Sequence, residues 1–222
     1  MSTKNWKCVV SLVVLGLFLG GVPAQAATIT WGSATTIAGD TDVSTLGTLL
    51  YAEHWGGTNN TVNGVAFTAA GTNITASGSV GINPNIGAAA SLSTAYQDIL
   101  KGNWYNASGY SATLHNLISG QQYQTQVWVE DPRYSTSQYT SIIGGPDLYI
   151  RTSTSTNLGQ YAIGTFTADA TTQAISFGQD GVVNAIQVRA VTQPGDIPEP
   201  ATMALLGLAG AGLGGYIRRR RS

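Results

Sequence analysis

The segment Tyr123-Gln-Thr-Gln-Val-Trp-Val129 repeats with a period of two, placing Tyr123, Thr125, Val127 and Val129 on one side of an extended chain. The same period runs through Val182 to Val191, where Val182, Ile186, Val188 and Ala190 oppose Gln187 and Arg189. Tyr161–Thr167 and Thr172–Phe177 flank Ala168-Asp-Ala170 at hairpin spacing, and Thr48–Glu53, Thr61–Phe67 and Ser111–Leu117 add three more strands. Period-two patterning on this scale excludes a helical bundle and predicts an all-β fold. One short helix is expected, because Leu92, Ala95, Tyr96, Ile99 and Leu100 fall at i, i+3, i+4, i+7 and i+8. Lys101-Gly102 is expected to cap its end, and Asp98 to lie on its solvated side.

Charge sharpens this. Charged residues make up only 9% of the 222 residues, against roughly 25% in an average soluble domain. Between Ala27 and Ile197 the bases are Lys101, Arg133, Arg151 and Arg189, set against ten acids, a net charge of −6. Such a region has no basic stripe to hold phosphates, which excludes nucleic acid as a partner. The single cysteine, Cys8, lies near the N-terminus, within the segment read below as a signal peptide, so no disulfide or thiol chemistry is expected of the middle region.

Both ends read as targeting segments. Lys4 and Lys7 precede an apolar run from Val9 to Val22, and Ala24-Gln25-Ala26 is a small-x-small cleavage site that sets Ala27 as the mature start. This is the pattern of a secretory signal peptide over 1–26, and it makes the Sec translocon and signal peptidase the expected partners. At the other end, Ala201 to Ile217 carries no charge and is followed by Arg218, Arg219, Arg220 and Arg221. A helix over 201–217 would cover about 25 Å, a marginal membrane span, with the arginines as a cytoplasmic stop-transfer anchor. Pro198-Glu199-Pro200 precedes it. Neither proline has an N–H and both restrict the residue before them, so this tripeptide is a stiff extended handle at the membrane surface.

Pro-Glu-Pro, a Gly- and Ala-rich apolar helix and an arginine cluster together resemble the PEP-CTERM sorting signal of Gram-negative bacteria, over Ile197 to Arg221. Ile197 stands where that signal usually has Val. The resemblance implies recognition of Pro198, Glu199 and Pro200 by an exosortase, a membrane protease of transpeptidase type. It further implies passage through an inner-membrane intermediate to the cell surface or extracellular space. Such proteins are associated with exopolysaccharide and biofilm. The expected organisation is a signal peptide at 1–26, a domain at 27–192, a linker at 193–197 and the sorting signal at 198–222.

The middle domain is expected to be a β-sandwich. Leu114-x-x-Leu117-x-x-Gly120-x-x-Tyr123 resembles the strand entry of fibronectin-type and galactose-binding-type sandwiches, where the Tyr bonds back across a corner. Asp42–Thr48, Val62–Phe67, Gly164–Asp169 and Asn184–Arg189 resemble an uncharacterised domain of PEP-CTERM proteins, which implies a galactose-binding-like jelly roll and carries no known active site.

No enzyme signature emerges. His54 and His115 are expected in a loop and on the surface, no metal-ligand spacing joins them, and no Gly-x-Ser-x-Gly elbow is present. No cofactor is expected; Asp40-Thr-Asp42 and Asp180-Gly181 have only a generic Ca²⁺-ligand spacing. Trp55, Trp104, Tyr105 and Tyr110 stand in Gly-, Asn- and Ser-rich contexts, as sugar-stacking rings in loops would, or as plugs for the ends of the core. Three functions stay open: a structural or adhesive surface protein, a carbohydrate-binding module retaining exopolysaccharide, and a glycoside hydrolase, which would need paired carboxylates in a cleft.

Overall fold

The computed structural model describes residues 27–82, 91–131, 138–151 and 158–191. The expected signal peptide, linker, sorting motif, membrane helix and arginine cluster lie outside them. Among the described residues no helix is long and apolar enough to cross a membrane.

The chain is mostly β, with one short helix. Its strands are β1 (Thr30–Trp31), β2 (Thr35–Thr36), β3 (Thr48–His54), β4 (Asn60–Val62), β5 (Val65–Ala69), β6 (Ile74–Ala76) and β7 (Ser79–Ile82). After helix α1 (Thr94–Leu100) come β8 (Gly102–Asn106), β9 (Tyr110–Leu114), β10 (Gln122–Val129), β11 (Gln138–Ser141) and β12 (Asp147–Arg151). The last are β13 (Gln160–Thr167), β14 (Gln173–Phe177), β15 (Gly181–Val183) and β16 (Ala185–Ala190). A large sheet runs β1-β13-β10-β16-β3-β5-β4, with β2 also on β13. Smaller sheets β14-β9-β6 and β15-β8-β7 and the hairpin β11-β12 complete the set.

The period-two face of β10 packs as the sequence predicts. Tyr123, Val127 and Val129 join Ile186 and Val188 of β16 in a core closed by Ala112 and Leu114 of β9 and Ile175 and Phe177 of β14. The opposite face does not meet solvent. It carries Trp128, Ala52 and Ala185 into a second core with Val62, Val65 and Phe67 of the β4–β5 hairpin and Tyr96, Ile99 and Leu100 of α1. The large sheet is therefore covered on both faces at its centre, one side by strands and the other by the helix together with side chains of the sheet's own β4–β5 edge.

That second face also buries amides. Gln126 donates to the Asp42 carbonyl and accepts from Ser44 N, Gln124 accepts from Ser44 Oγ, and Gln187 donates to the Ser44 carbonyl and to Gln126. Arg189 closes the row, its guanidinium donating to the carbonyls of Thr45, Leu46 and Gly47 at 2.8–3.1 Å. These bonds strap the Asp42–Gly47 loop over the sheet, which is how buried polar groups stay tolerable.

Two strands read as continuous are broken. Thr61–Phe67 turns at Asn63-Gly64, whose φ of 49° and 74° are those of a two-residue hairpin loop. Val182–Val191 divides at Asn184, where the chain leaves the partner β8 for the large sheet. Asn184 holds that corner: its side-chain oxygen accepts from Glu130 N and its amide donates to the carbonyls of Leu100 and Gly102.

The helix begins at its Ser93 cap, whose Oγ accepts from Tyr96 N. Its end differs from expectation. Lys101 is right-handed, and Gly102 opens β8 instead of closing the helix. A Cβ on Gly102 would meet backbone atoms of Trp55 and Gly56 at 2.2 Å, so the glycine is there for a close backbone crossing. The expected corner bond is present: Tyr123 is buried and its hydroxyl accepts from Ile118 N at 2.8 Å.

Candidate functional site

The four rings considered as sugar contacts separate. Trp55 follows β3 directly and is buried, meeting Trp104 edge-to-face with centroids 5.3 Å apart. Tyr110 is also buried, packs on Phe177 at 5.1 Å and donates to the Trp104 carbonyl; burial pushes its hydroxyl pKa well up. These two rings fill the core and offer no face to a ligand. Trp104 is half-buried in β8, as is Tyr105. The Gly/Asn/Ser contexts that suggest loops are strand here, because β8 pairs with both β7 and β15. Of the four, only Tyr105 reaches a polar surface, its hydroxyl donating to Asp180 Oδ1 at 3.0 Å.

The histidines depart from expectation as well. His54 is fully buried at the end of β3, with Nε2 3.1 Å from the Thr58 carbonyl. Burial lowers its pKa, against the nearby Asp98 charge and the Thr58 contact, which raise it. His115 lies just beyond β9, half-buried, its Nε2 2.8 Å from Thr75 Oγ1. Asp98 is not merely solvated. It accepts from Thr58 N, Thr58 Oγ1 and Asn60 Nδ2 and pairs with Lys101 Nζ at 3.2 Å. Its burial raises the pKa, but the Thr58 and Lys101 bonds outweigh that and hold it below the usual carboxylate value. The cluster secures the Gly56–Asn60 loop to α1.

Three further acids are engaged in local bonds. Glu53 is buried and accepts from Asn73 N and Nδ2 at 2.8 Å and Ile74 N at 3.1 Å, clamping the turn into β6. Asp42 Oδ2 takes Ala38 N and Gly39 N, and Asp40 Oδ1 takes Ser93 Oγ. Among the described residues no group of three or more His, Cys, Asp or Glu is placed to hold a metal ion.

The exposed aromatics are elsewhere. Tyr139 of β11 and Tyr149 of β12 are cross-strand partners, 51% and 44% exposed, with centroids 6.3 Å apart. Beside Tyr139 a cleft of about 450 Å³ is lined by Gln138, Ser141, Gln179 and Asp180. Sequence reading passed over this hairpin, although Gln138–Ser141 and Asp147–Arg151 flank Gly144-Gly145-Pro146, a turn signal between two tyrosine-bearing runs. A second hollow, about 230 Å³, lies between β1 and β14 and includes Trp31, Ile143 and Gln173.

Curated proteins yield no match to the chain. Solved structures yield none either. Among family models, the PEP-CTERM protein-sorting motif matches residues 196–221, starting two residues ahead of Pro198. The motif implies an exosortase as processing partner, and export to the cell surface or extracellular space. The chain therefore carries a PEP-CTERM protein-sorting motif at residues 196–221.

Proposed function

We propose that this is a non-catalytic protein of the Gram-negative envelope or extracellular matrix, structural or adhesive in an exopolysaccharide-bearing, biofilm-forming surface. The observation that carries the proposal is the sorting motif at residues 196–221. In this reading the Sec translocon exports the chain and signal peptidase cuts after Ala26. The 201–217 segment then holds it transiently in the inner membrane, with Arg218 to Arg221 on the cytoplasmic side. The exosortase grips Pro198-Glu199-Pro200 and releases the 27–192 domain, a galactose-binding-like jelly roll. A non-catalytic role is supported by Glu53, Asp42, Asp98 and the two histidines, whose side-chain contacts serve local loops and turns. The Asp40, Asp42 and Asp180 carboxylates serve local hydrogen bonds in this reading, with no Ca²⁺ required.

Replacing Glu199 with Ala removes the one charge between the two prolines. Fractionation should then show unprocessed chain accumulating in the inner membrane, with surface protein falling at least about tenfold, the loss expected when a central recognition contact is removed. Processing at the native level would sink the exosortase reading.

Carbohydrate binding is the second reading, and the exposed Tyr139–Tyr149 pair favours it. A glycoside hydrolase has less support, because the cleft beside that pair offers one carboxylate among its described residues, not two.

A further inference from the structure

We propose that the cleft between the β11–β12 hairpin and the Gln179-Asp180 turn is a subsite for a neutral saccharide, with a pyranose ring stacked on Tyr139. The proposal deepens the carbohydrate reading above and rests on it.

The walls of the cleft are fixed before any ligand arrives. Thr140 locks β11 to β15: its hydroxyl donates to the Val182 carbonyl at 3.0 Å and accepts from Val182 N at 2.8 Å. Gly178 N donates to the Ser141 carbonyl and Ile143 N to the Ser176 carbonyl, both at 2.9 Å. Ser141 Oγ in turn bonds Asp147 of β12. On the facing wall, Asp180 adopts a φ of 54°, a left-handed conformation that Asp tolerates better than most residues. Its amide donates to the Ala107 carbonyl at 3.3 Å, and its carboxylate is aimed by the Tyr105 hydroxyl. A carboxylate has about four acceptor positions, so one bond to Tyr105 orients Asp180 without saturating it.

The lining chemistry selects the ligand class. Tyr139 keeps 51% of its surface exposed although it is a large ring in a paired strand, its ring contact being the edge-to-face one with Tyr149. Its ring face carries the negative side of the aromatic quadrupole, and the C–H face of a pyranose is apolar with positive partial charge, so the two match. Gln138 and Gln179 supply amide forks that both donate and accept, Ser141 a hydroxyl and Asp180 an acceptor, which suits vicinal hydroxyls. None of the described lining residues is basic, and the 27–197 region carries a net charge of −6, so an anionic polymer is disfavoured. The volume of about 450 Å³ lies inside the roughly 300–1,000 Å³ range of small-ligand pockets.

The test uses the full chain in mild detergent, on an array of neutral oligosaccharides and in pull-down on cellulose, xylan and galactan. The native chain is expected to be retained on at least one of these. Tyr139→Ala should weaken that retention at least about tenfold, as for a central aromatic anchor, while Tyr139→Phe, which keeps the ring, stays near native. Gln179→Ala, on an exposed turn that folding does not need, should weaken it several-fold, and native-like melting curves confirm that the variants are folded. Retention of the native chain with Tyr139→Ala and Gln179→Ala unaffected would overturn this site while leaving the carbohydrate reading standing. A native chain that holds none of the neutral glycans would overturn both.

Discussion

Arg189 shows how a single side chain can organise a loop in an acidic domain with few basic residues. Its alternation with Val188 and Ala190 places it on the polar side of β16, as the sequence pattern indicates, but it is only 6% exposed. Its planar fork reaches three carbonyls of the Thr45–Gly47 turn, and burial lowers its pKa. Bonds from a charged donor contribute about 1.5–3 kcal/mol each, less what water recovers when they are lost. Arg189→Met should therefore destabilise the domain by about 2–4 kcal/mol, seen as a lower urea midpoint. Arg189→Lys should recover less than half of that, because an ammonium cannot reproduce the fork; a fully stable Lys variant would contradict the clasp. The side of the strand on which Gln124, Gln126, Gln187 and Arg189 lie was legible in the sequence. Their burial was not, because the loop that covers them is separated from them by about 80 residues for the β10 glutamines and more than 140 for Arg189.

Among the elements, long uninterrupted strands follow the two-residue period closely. β10 and β13 match their predicted spans to within a residue. Where period and turn chemistry compete, the turn wins: Asn63-Gly64 splits one run and Asn184 another. The β8 segment misleads for the opposite reason. Its Gly102 and Asn103 look like loop residues, yet the glycine lets two backbones cross and the ring residues that follow enter the sheet. That account separates two glycines. Gly102→Ala would drive a Cβ into the Trp55–Gly56 backbone and should cost about 3 kcal/mol or more, in the range of severe core overpacking. Gly39 has extended backbone with nothing within 4 Å of an added Cβ, so Gly39→Ala should be neutral or stabilise by up to about 1 kcal/mol. Thermal unfolding of the pair reads the difference, and equal melting temperatures would refute the crossing as the reason for Gly102. The same misreading explains the ring assignments: Trp55 and Tyr110 are core, whereas Tyr139 and Tyr149, in a hairpin of ordinary composition, are the rings left outside.

Across the whole molecule, two kinds of information are written in different ways. The address is linear: Pro198-Glu199-Pro200, an uncharged segment and four arginines, legible because an enzyme must read it as a strip of chain. The proposed saccharide subsite is not linear. Gln138, Tyr139, Gln179 and Asp180 meet only because β11 is pinned to β15. Sorting and binding are thus separable, and Tyr139→Ala should leave export untouched. In the proposed pathway an exosortase removes the tail once the chain has been exported. Intact-mass measurement of the protein recovered from the cell surface or medium tests it most directly. The expected product begins at Ala27 and ends close to Pro198-Glu199-Pro200, alone or joined there to another envelope component. A surface protein that retains every residue through Arg221 would contradict it.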